Sequence, residues 1–124
     1  MIVEFDDKKV QRLFEDLIDV RNSRNLMTKE VGAELAKALK KRLNQIVAFE
    51  YFGGLQNSAL GKMESLAGEK HGDYSIRVTA NYRLIVSPKS MDRRAEALKK
   101  CDTLTIKGVA DYHGKEGKFN WLIP

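Results

Sequence analysis

The stretch YSIRVTANYRLIV, residues 74–86, decides the fold, because its alternating apolar residues predict a hairpin of two strands. A two-residue turn at Ala80 and Asn81 would mix charge into the apolar row on each side. A three-residue loop over residues 79–81, with Asn81 in the left-handed conformation, instead leaves one face of the hairpin purely apolar. The predicted cross-strand pairs are then Tyr74 with Val86, Ile76 with Leu84, and Val78 with Tyr82.

The same register makes Arg77 and Arg83 neighbours on the other face of the hairpin. Two like charges side by side across a strand pair repel each other, so their juxtaposition suggests an anionic partner between them. Two solvated arginines near acidic side chains would fit the spacing equally well. The spacing alone therefore leaves both interpretations open.

The first half of the chain predicts a scaffold of helices. Residues 2–5 alternate as a short strand, and Asp6 or Asp7 can cap a helix that follows. Thr28 is the predicted cap of a second, longer helix that ends at Gly53 and Gly54. The predicted core positions of the two helices are Val10, Leu13, Phe14, Leu17 and Ile18, then Val31, Leu35, Leu39, Leu43, Ile46 and Val47. The predicted fold is α+β, with two N-terminal antiparallel helices packed on a small antiparallel sheet.

The second half adds two segments to this plan. Residues 88–101 form a charged insertion after the hairpin, predicted to be a loop with a helical turn. The apolar run over residues 104–110 is predicted to be the last strand, ending at Asp111-Tyr112-His113. The tail over residues 114–124 carries an apolar cluster that must pack back on the domain or be covered by a partner.

Composition limits the classes of protein that the chain can belong to. Its 124 residues suit a single domain, 1–124, and 43% hydrophobic with 31% charged residues is a globular composition. No apolar stretch is long enough to cross a bilayer, and residues 1–9 lack a signal-peptide pattern, so a cytoplasmic protein is expected. The single cysteine, Cys101, excludes an internal disulfide and a cysteine-based zinc site. A net charge of +5 favours polyanionic partners.

The tripeptide Asp111-Tyr112-His113 places a carboxylate, a phenol and an imidazole side by side just before Gly114. Such groups donate, accept or orient protons, so a strand end that carries them could cut a phosphodiester. Asp and His are also common at strand ends as turn formers. In an extended strand Asp111 and His113 share one face while Tyr112 takes the other, so the three converge only if the strand frays or bends.

Three short motifs occur in order along the chain: GDYSIRV at residues 72–78, NYRLIV at residues 81–86 and VADYHG at residues 109–114. Together they resemble the RelE/ParE toxin superfamily, and within it the HigB-type killer-protein branch. The resemblance runs from the first strand to Gly114 and is strongest from Leu66 onward. It implies a small toxin that enters the ribosomal A site and cuts messenger RNA. It also implies a cognate helix-turn-helix antitoxin that holds the toxin inactive in a hetero-oligomer.

The resemblance also implies roles for individual residues. Asp111, Tyr112 and His113 match the catalytic end of the family, and Arg83 matches its phosphate-binding arginine. The residues expected to contact RNA are Arg77, Lys70, Lys107 and His71. No cofactor or metal is expected, because RNA carries its own nucleophile in the 2′-hydroxyl.

The chain departs from the family pattern before the hairpin. Ala67 stands where the family often has a lysine, and Glu64 stands where some relatives carry a histidine. These two departures support an alternative, in which the chain is a catalytically degenerate module that only binds an antitoxin. A second alternative is a ParE-like poison of DNA gyrase that cuts nothing, although such a protein would have no use for His113.

Overall fold

The computed structural model describes residues 1–21, 23–66, 72–113 and 118–123, and of residues 112, 113 and 118 it describes the backbone. Within these ranges, six strands form one sheet, and helices cover one face of it. The elements in chain order are β1 (Ile2–Phe5), α1 (Lys8–Ile18), α2 (Leu26–Val31), α3 (Ala33–Val47), α4 (Phe52–Asn57), a 3-10 turn (Leu60–Lys62), β2 (Glu64–Ser65), β3 (Tyr74–Arg77), β4 (Tyr82–Pro88), α5 (Ala95–Lys99), β5 (Thr103–His113) and β6 (Lys118–Ile123). The α+β class predicted from the sequence is confirmed.

The hairpin of β3 and β4 has the predicted register. Tyr74 pairs with Val86, and Arg77 pairs with Arg83. The three-residue loop is also confirmed, but Asn81 does not have a positive φ, so its predicted left-handed conformation is wrong. The Thr79 hydroxyl closes the turn instead, accepting hydrogen bonds from the backbone N–H of Asn81 at 3.3 Å and of Tyr82 at 3.1 Å.

Strand β5 pairs with three other strands. β4 lies along one side of it, and both β1 and β6 lie along the other side. The strand order is β1-β5-β4-β3-β2, and β6 pairs antiparallel with the far half of β5. β1 runs parallel to β5, from Ile2 beside Thr103 to Phe5 beside Ile106. The sheet is therefore mixed, and the prediction of a purely antiparallel sheet is wrong at β1. A parallel pair needs a long crossover connection, and the intervening helices and strands provide it.

The first helix forms as predicted, but the predicted core position Ile18 is wrong, because this residue ends α1 with 42% of its surface exposed. The Asp7 carboxylate accepts a hydrogen bond from the backbone N–H of Val10 at 3.0 Å, which caps α1. Val10 and Phe14 are fully buried against the sheet, as the helical spacing of the apolar residues predicted.

The second predicted helix is divided into three. Gly32, at φ +93°, separates α2 from α3, since a helix cannot continue through that backbone conformation. Thr28 lies inside α2 and does not cap it. Gly53 and Gly54 lie inside α4 rather than at a helix end. Val47 ends α3 with 38% of its surface exposed, so its predicted place in the core is also wrong.

Asp16 supplies the hydrogen bonds that start α2. Its carboxylate accepts from the backbone N–H of Arg24 at 2.7 Å and of Leu26 at 2.9 Å. The hydrogen bond from Arg24 is the main reason why the pKa of Asp16 is below its usual value. A side chain from α1 thus takes the capping role that the sequence assigned to Thr28.

The main core lies between the helices and the sheet, and a smaller cluster lies on the opposite face. The smaller cluster consists of Leu66, Ile85 and Ala110, with Phe119 packed against it. Phe119 belongs to β6, which packs back on the domain, the first of the two alternatives that the sequence left open for the apolar part of the tail. The prediction that β5 is the last strand is wrong, because β6 follows it.

The insertion over residues 88–101 contains the short helix α5 and is tied to the sheet by Arg93. The guanidinium donates to the carbonyl oxygens of Pro88 and Gly72, each at 2.6 Å. The neighbouring Arg94 instead pairs with the Asp92 carboxylate at 2.6 Å. Among the described helices, none combines the length and the apolar character that a bilayer crossing needs.

Candidate functional site

The candidate site lies at one end of the sheet, where four strands begin or end. β3 ends at Arg77 and β4 begins at Tyr82, while β5 ends at His113 and β6 begins at Lys118. The predicted catalytic and phosphate-binding positions in these strands therefore share one end of the sheet. Which of them also share a face depends on the register between the strands.

Arg77 and Arg83 are direct cross-strand partners on the face that points away from the helices. Their neighbours Ile76 and Leu84 are fully buried in the main core, so alternation turns both arginines to the opposite face. The predicted juxtaposition of the two arginines is confirmed.

The two guanidinium groups have nitrogen atoms that are buried and have no hydrogen-bond partner among the residues that the structure describes. These atoms are Nε and Nη1 of Arg83 and Nε of Arg77. None of the ion pairs between described residues involves either arginine. A buried donor without a partner costs about 1–3 kcal/mol, and more when it is charged. An anion with several oxygen atoms, such as a phosphate, would satisfy these donors.

Asp111 reaches the same end of the sheet but lies on the other face. It pairs with Tyr82, whereas Arg83 pairs with Ala110, so Asp111 and Arg83 alternate to opposite sides. Its Oδ1 atom is buried there. β5 stays paired with β6 as far as His113, so the strand does not fray before the tripeptide ends. The structure therefore brings Arg77 and Arg83 together and leaves Asp111 across the sheet from them.

The other predicted site residues are distributed differently. The side chains of Tyr112 and His113 lie outside the described part of the structure, as do Lys70 and His71. Lys107 lies nearer the start of β5, where its Nζ atom is 2.6 Å from the Asp6 carboxylate. This ion pair holds Lys107 away from the arginines.

Of the two positions that depart from the family pattern, the structure describes one. Glu64 is exposed in β2, opposite Ser75 of β3, so it points a carboxylate to solvent beside the hairpin. Ala67 lies outside the described residues.

Two aromatic residues on β6 were not predicted to belong to the site. Trp121 pairs with Ala110, the residue that pairs with Arg83 on its other side. Phe119 and Trp121 make an edge-to-face contact with ring centroids 4.8 Å apart. Their i, i+2 spacing in an apolar segment was the available signal, because it is typical of a strand.

Comparisons with known proteins identify the fold. No model of a known protein family matches the sequence, and no curated protein matches it either. Among solved structures, the chain is similar to a YoeB/ParE toxin from Agrobacterium tumefaciens, with a TM-score of 0.52 and 14% identity over 91% of this chain and 100% of that one. A chain of the YoeB–YefM complex from Staphylococcus aureus gives a TM-score of 0.49 and 19% identity over 91% of this chain and 97% of that one. At this identity, the first likeness shows that the two chains share a fold.

Proposed function

We propose that this chain is the toxin of a type II toxin–antitoxin system, and that it cuts messenger RNA on the ribosome. The observation that carries the proposal is the pair Arg77 and Arg83 at the end of the sheet, whose buried donors lack partners within the described part of the chain. The sequence motifs that resemble the HigB-type branch of the RelE/ParE superfamily support it. The fold shared with a YoeB/ParE toxin is consistent with it.

The proposed chemistry uses the 2′-hydroxyl of the RNA as the nucleophile. A base removes its proton, the oxygen attacks the adjacent phosphorus, and the bond from phosphorus to the 5′-oxygen breaks as an acid protonates that oxygen. Cations that bind the phosphate stabilise the charge that develops in the transition state. The products are a 2′,3′-cyclic phosphate and a free 5′-hydroxyl, and this reaction requires no metal or cofactor.

Each step is assigned to a residue at the end of the sheet. Arg83, with Arg77 beside it, holds the phosphate. His113 is the acid or the base, Tyr112 is its partner or a surface for base stacking, and Asp111 orients His113. Since Asp111 and Arg83 lie on opposite faces, the RNA has to cross the end of the sheet rather than lie along one face.

The remaining basic residues would contact RNA around the cleaved bond. Lys70 and His71 precede the hairpin in sequence, and Lys107 would contact the messenger farther from the cut. Because Lys70 is the one basic residue that the chain keeps from the family pattern before the hairpin, the ribosome is needed to position the messenger. The proposed partners are therefore the ribosome, the messenger and a cognate helix-turn-helix antitoxin in a hetero-oligomer.

Substitution of Arg83 tests this proposal. We expect Arg83→Ala to lower messenger cleavage by translating ribosomes about a hundred- to a thousandfold, which is typical for loss of one transition-state donor. Arg83→Lys should recover only part of the activity, because an ammonium does not reproduce the two parallel donors of a guanidinium. Arg94→Ala is the matched control, since Arg94 is exposed and paired with Asp92. Full cleavage by Arg83→Ala would contradict the proposal.

A further inference from the structure

Trp121 lies in the same row of the sheet as the two arginines. Arg77 pairs with Arg83, Arg83 with Ala110, and Ala110 with Trp121, so the row crosses β3, β4, β5 and β6. Paired residues in antiparallel strands point to the same face, so all four lie on the face away from the helices. Adjacent strands are about 4.8 Å apart, which places the Cα atoms of Arg83 and Trp121 roughly 10 Å apart.

The indole of Trp121 is held in place on two sides. Phe119 contacts the indole edge to face. The Cζ3 atom of Trp121 lies close to Gly108, since a Cβ added to Gly108 would be only 2.9 Å from it. Trp121 nevertheless has 39% of its surface exposed. Ala110, between Trp121 and Arg83, is fully buried, so a ligand would approach the indole from the solvent side. A fixed and partly exposed indole is suited to stacking against another flat ring.

We propose that Trp121 forms a stacking subsite for an unpaired RNA base, next to the phosphate that Arg83 and Arg77 hold. The inference rests on the proposed function and adds a base-binding residue to its site. Because their Cα atoms are roughly 10 Å apart and both side chains point to the same face, the guanidinium of Arg83 and the indole of Trp121 can contact one short segment of RNA. Stacking accepts every base, because each base has a flat π-face, so the subsite would bind single-stranded RNA without reading its sequence.

Fluorescence tests the inference directly, because Trp121 is the single tryptophan of the sequence. The full chain is titrated with a short, unstructured RNA whose 2′-positions are methylated, so that it cannot be cut. We expect the RNA to quench the fluorescence, and an abasic oligomer with the same backbone to bind without comparable quenching.

Substitutions measure how much the stacking contributes. Trp121→Leu should weaken RNA binding roughly 5- to 150-fold, the range found when a stacking side chain is removed. Trp121→Phe should retain most of the affinity, because it keeps a flat ring, and it also serves as the variant that disturbs the fold least. Tyr51→Leu is the matched control, since Tyr51 is an exposed aromatic residue at the start of α4 in the helical layer. Circular dichroism of each variant checks that the fold is retained.

The outcomes separate this inference from the proposed function. Equal RNA affinity of Trp121→Leu and the parent chain, without quenching in the parent, would overturn the stacking subsite and leave the proposed cleavage intact. Quenching in the parent chain and weaker RNA binding by Trp121→Leu, together with uncut messenger on ribosomes, would support the subsite and contradict the proposed cleavage. Failure of the parent chain to bind the RNA at all would overturn the stacking subsite and leave the ribosome-dependent cleavage intact.

Discussion

Gly108 should be one of the least replaceable residues of this chain, because β6 packs directly on it. A Cβ at this position would lie 1.9 Å from the carbonyl oxygen of Ile123 and 2.9 Å from Cζ3 of Trp121. The φ angle of Gly108 is +155°, a value that residues with a Cβ rarely adopt. We therefore expect Gly108→Ala to separate β6 from β5 or to strain both strands.

The size of the effect follows from the two ways in which the clash can be relieved. If β6 stays paired, its carbonyl has to move by about 1 Å, and overpacking of this kind costs about 1–3 kcal/mol, with about 1 kcal/mol more for the strained backbone. If β6 detaches, the fully buried Ile123 is exposed, which costs about 1.5–3 kcal/mol before any hydrogen bonds are counted. Both routes lead to a loss of about 2–4 kcal/mol from the free energy of unfolding.

Urea unfolding followed by circular dichroism measures this loss. Gly54→Ala is the matched control, because its Cβ would have Phe49 Cδ1 as its nearest neighbour at 3.5 Å, inside a helix where alanine is favoured by up to about 1 kcal/mol. We expect Gly54→Ala to be at least as stable as the parent chain. A Gly108→Ala protein within about 0.5 kcal/mol of the parent would refute the close packing of β6 on β5.

Three further predictions concern the proposed acid–base residue His113, the stability of the fold at acid pH and the insertion over residues 88–101. His113→Ala should permit growth on induction where the parent chain arrests it, with unchanged circular dichroism; an equally toxic variant would contradict the assigned acid–base role. Because backbone N–H donors lower the pKa of Asp16, its charge stabilises the fold above the usual pKa of 3.8, and this stabilisation is lost as the pH falls through the lowered value. Asp16→Asn should therefore unfold at lower urea than the parent at pH 7, and the difference should shrink as the pH falls through the lowered pKa of Asp16; a difference that persists after the carboxylate is protonated would show another cause. Arg93→Ala should lose about 1 kcal/mol or more in urea unfolding because it releases Gly72, whereas Arg94→Ala should lose less than about 0.5 kcal/mol; equal losses would refute the role of Arg93 as a tie.

The hairpin and its arginines were predictable because local pattern determines them. A three-residue loop keeps the apolar face of residues 74–86 free of charge where a two-residue turn does not, and its register places Arg77 beside Arg83. The division between α2 and α3 was not predictable in the same way, because the apolar spacing continues across Gly32. The start of α2 depends on hydrogen bonds to Asp16, which is distant in sequence.

The arrangement of the site depends on strand pairings that no local pattern determines. The β4–β5 pairing shifts register between Ile85 and Val86, and the pairing beyond this shift places Arg83 and Asp111 on opposite faces. Trp121 was missed for a similar reason, since it enters the row of the arginines only when β6 pairs with β5. The parallel pairing of β1 with β5 likewise joins two segments about a hundred residues apart.

The most direct test of the proposed function is to map the ends of cellular RNA after a short induction of the chain. The account predicts that messengers are cut within translated regions, with a 2′,3′-cyclic phosphate on the upstream fragment and a 5′-hydroxyl on the downstream one. Cuts should disappear when translation is blocked before induction. Fragments with 5′-phosphate ends would contradict attack by the 2′-hydroxyl, and intact messenger together with gyrase-linked DNA breaks would show that the chain is a gyrase poison.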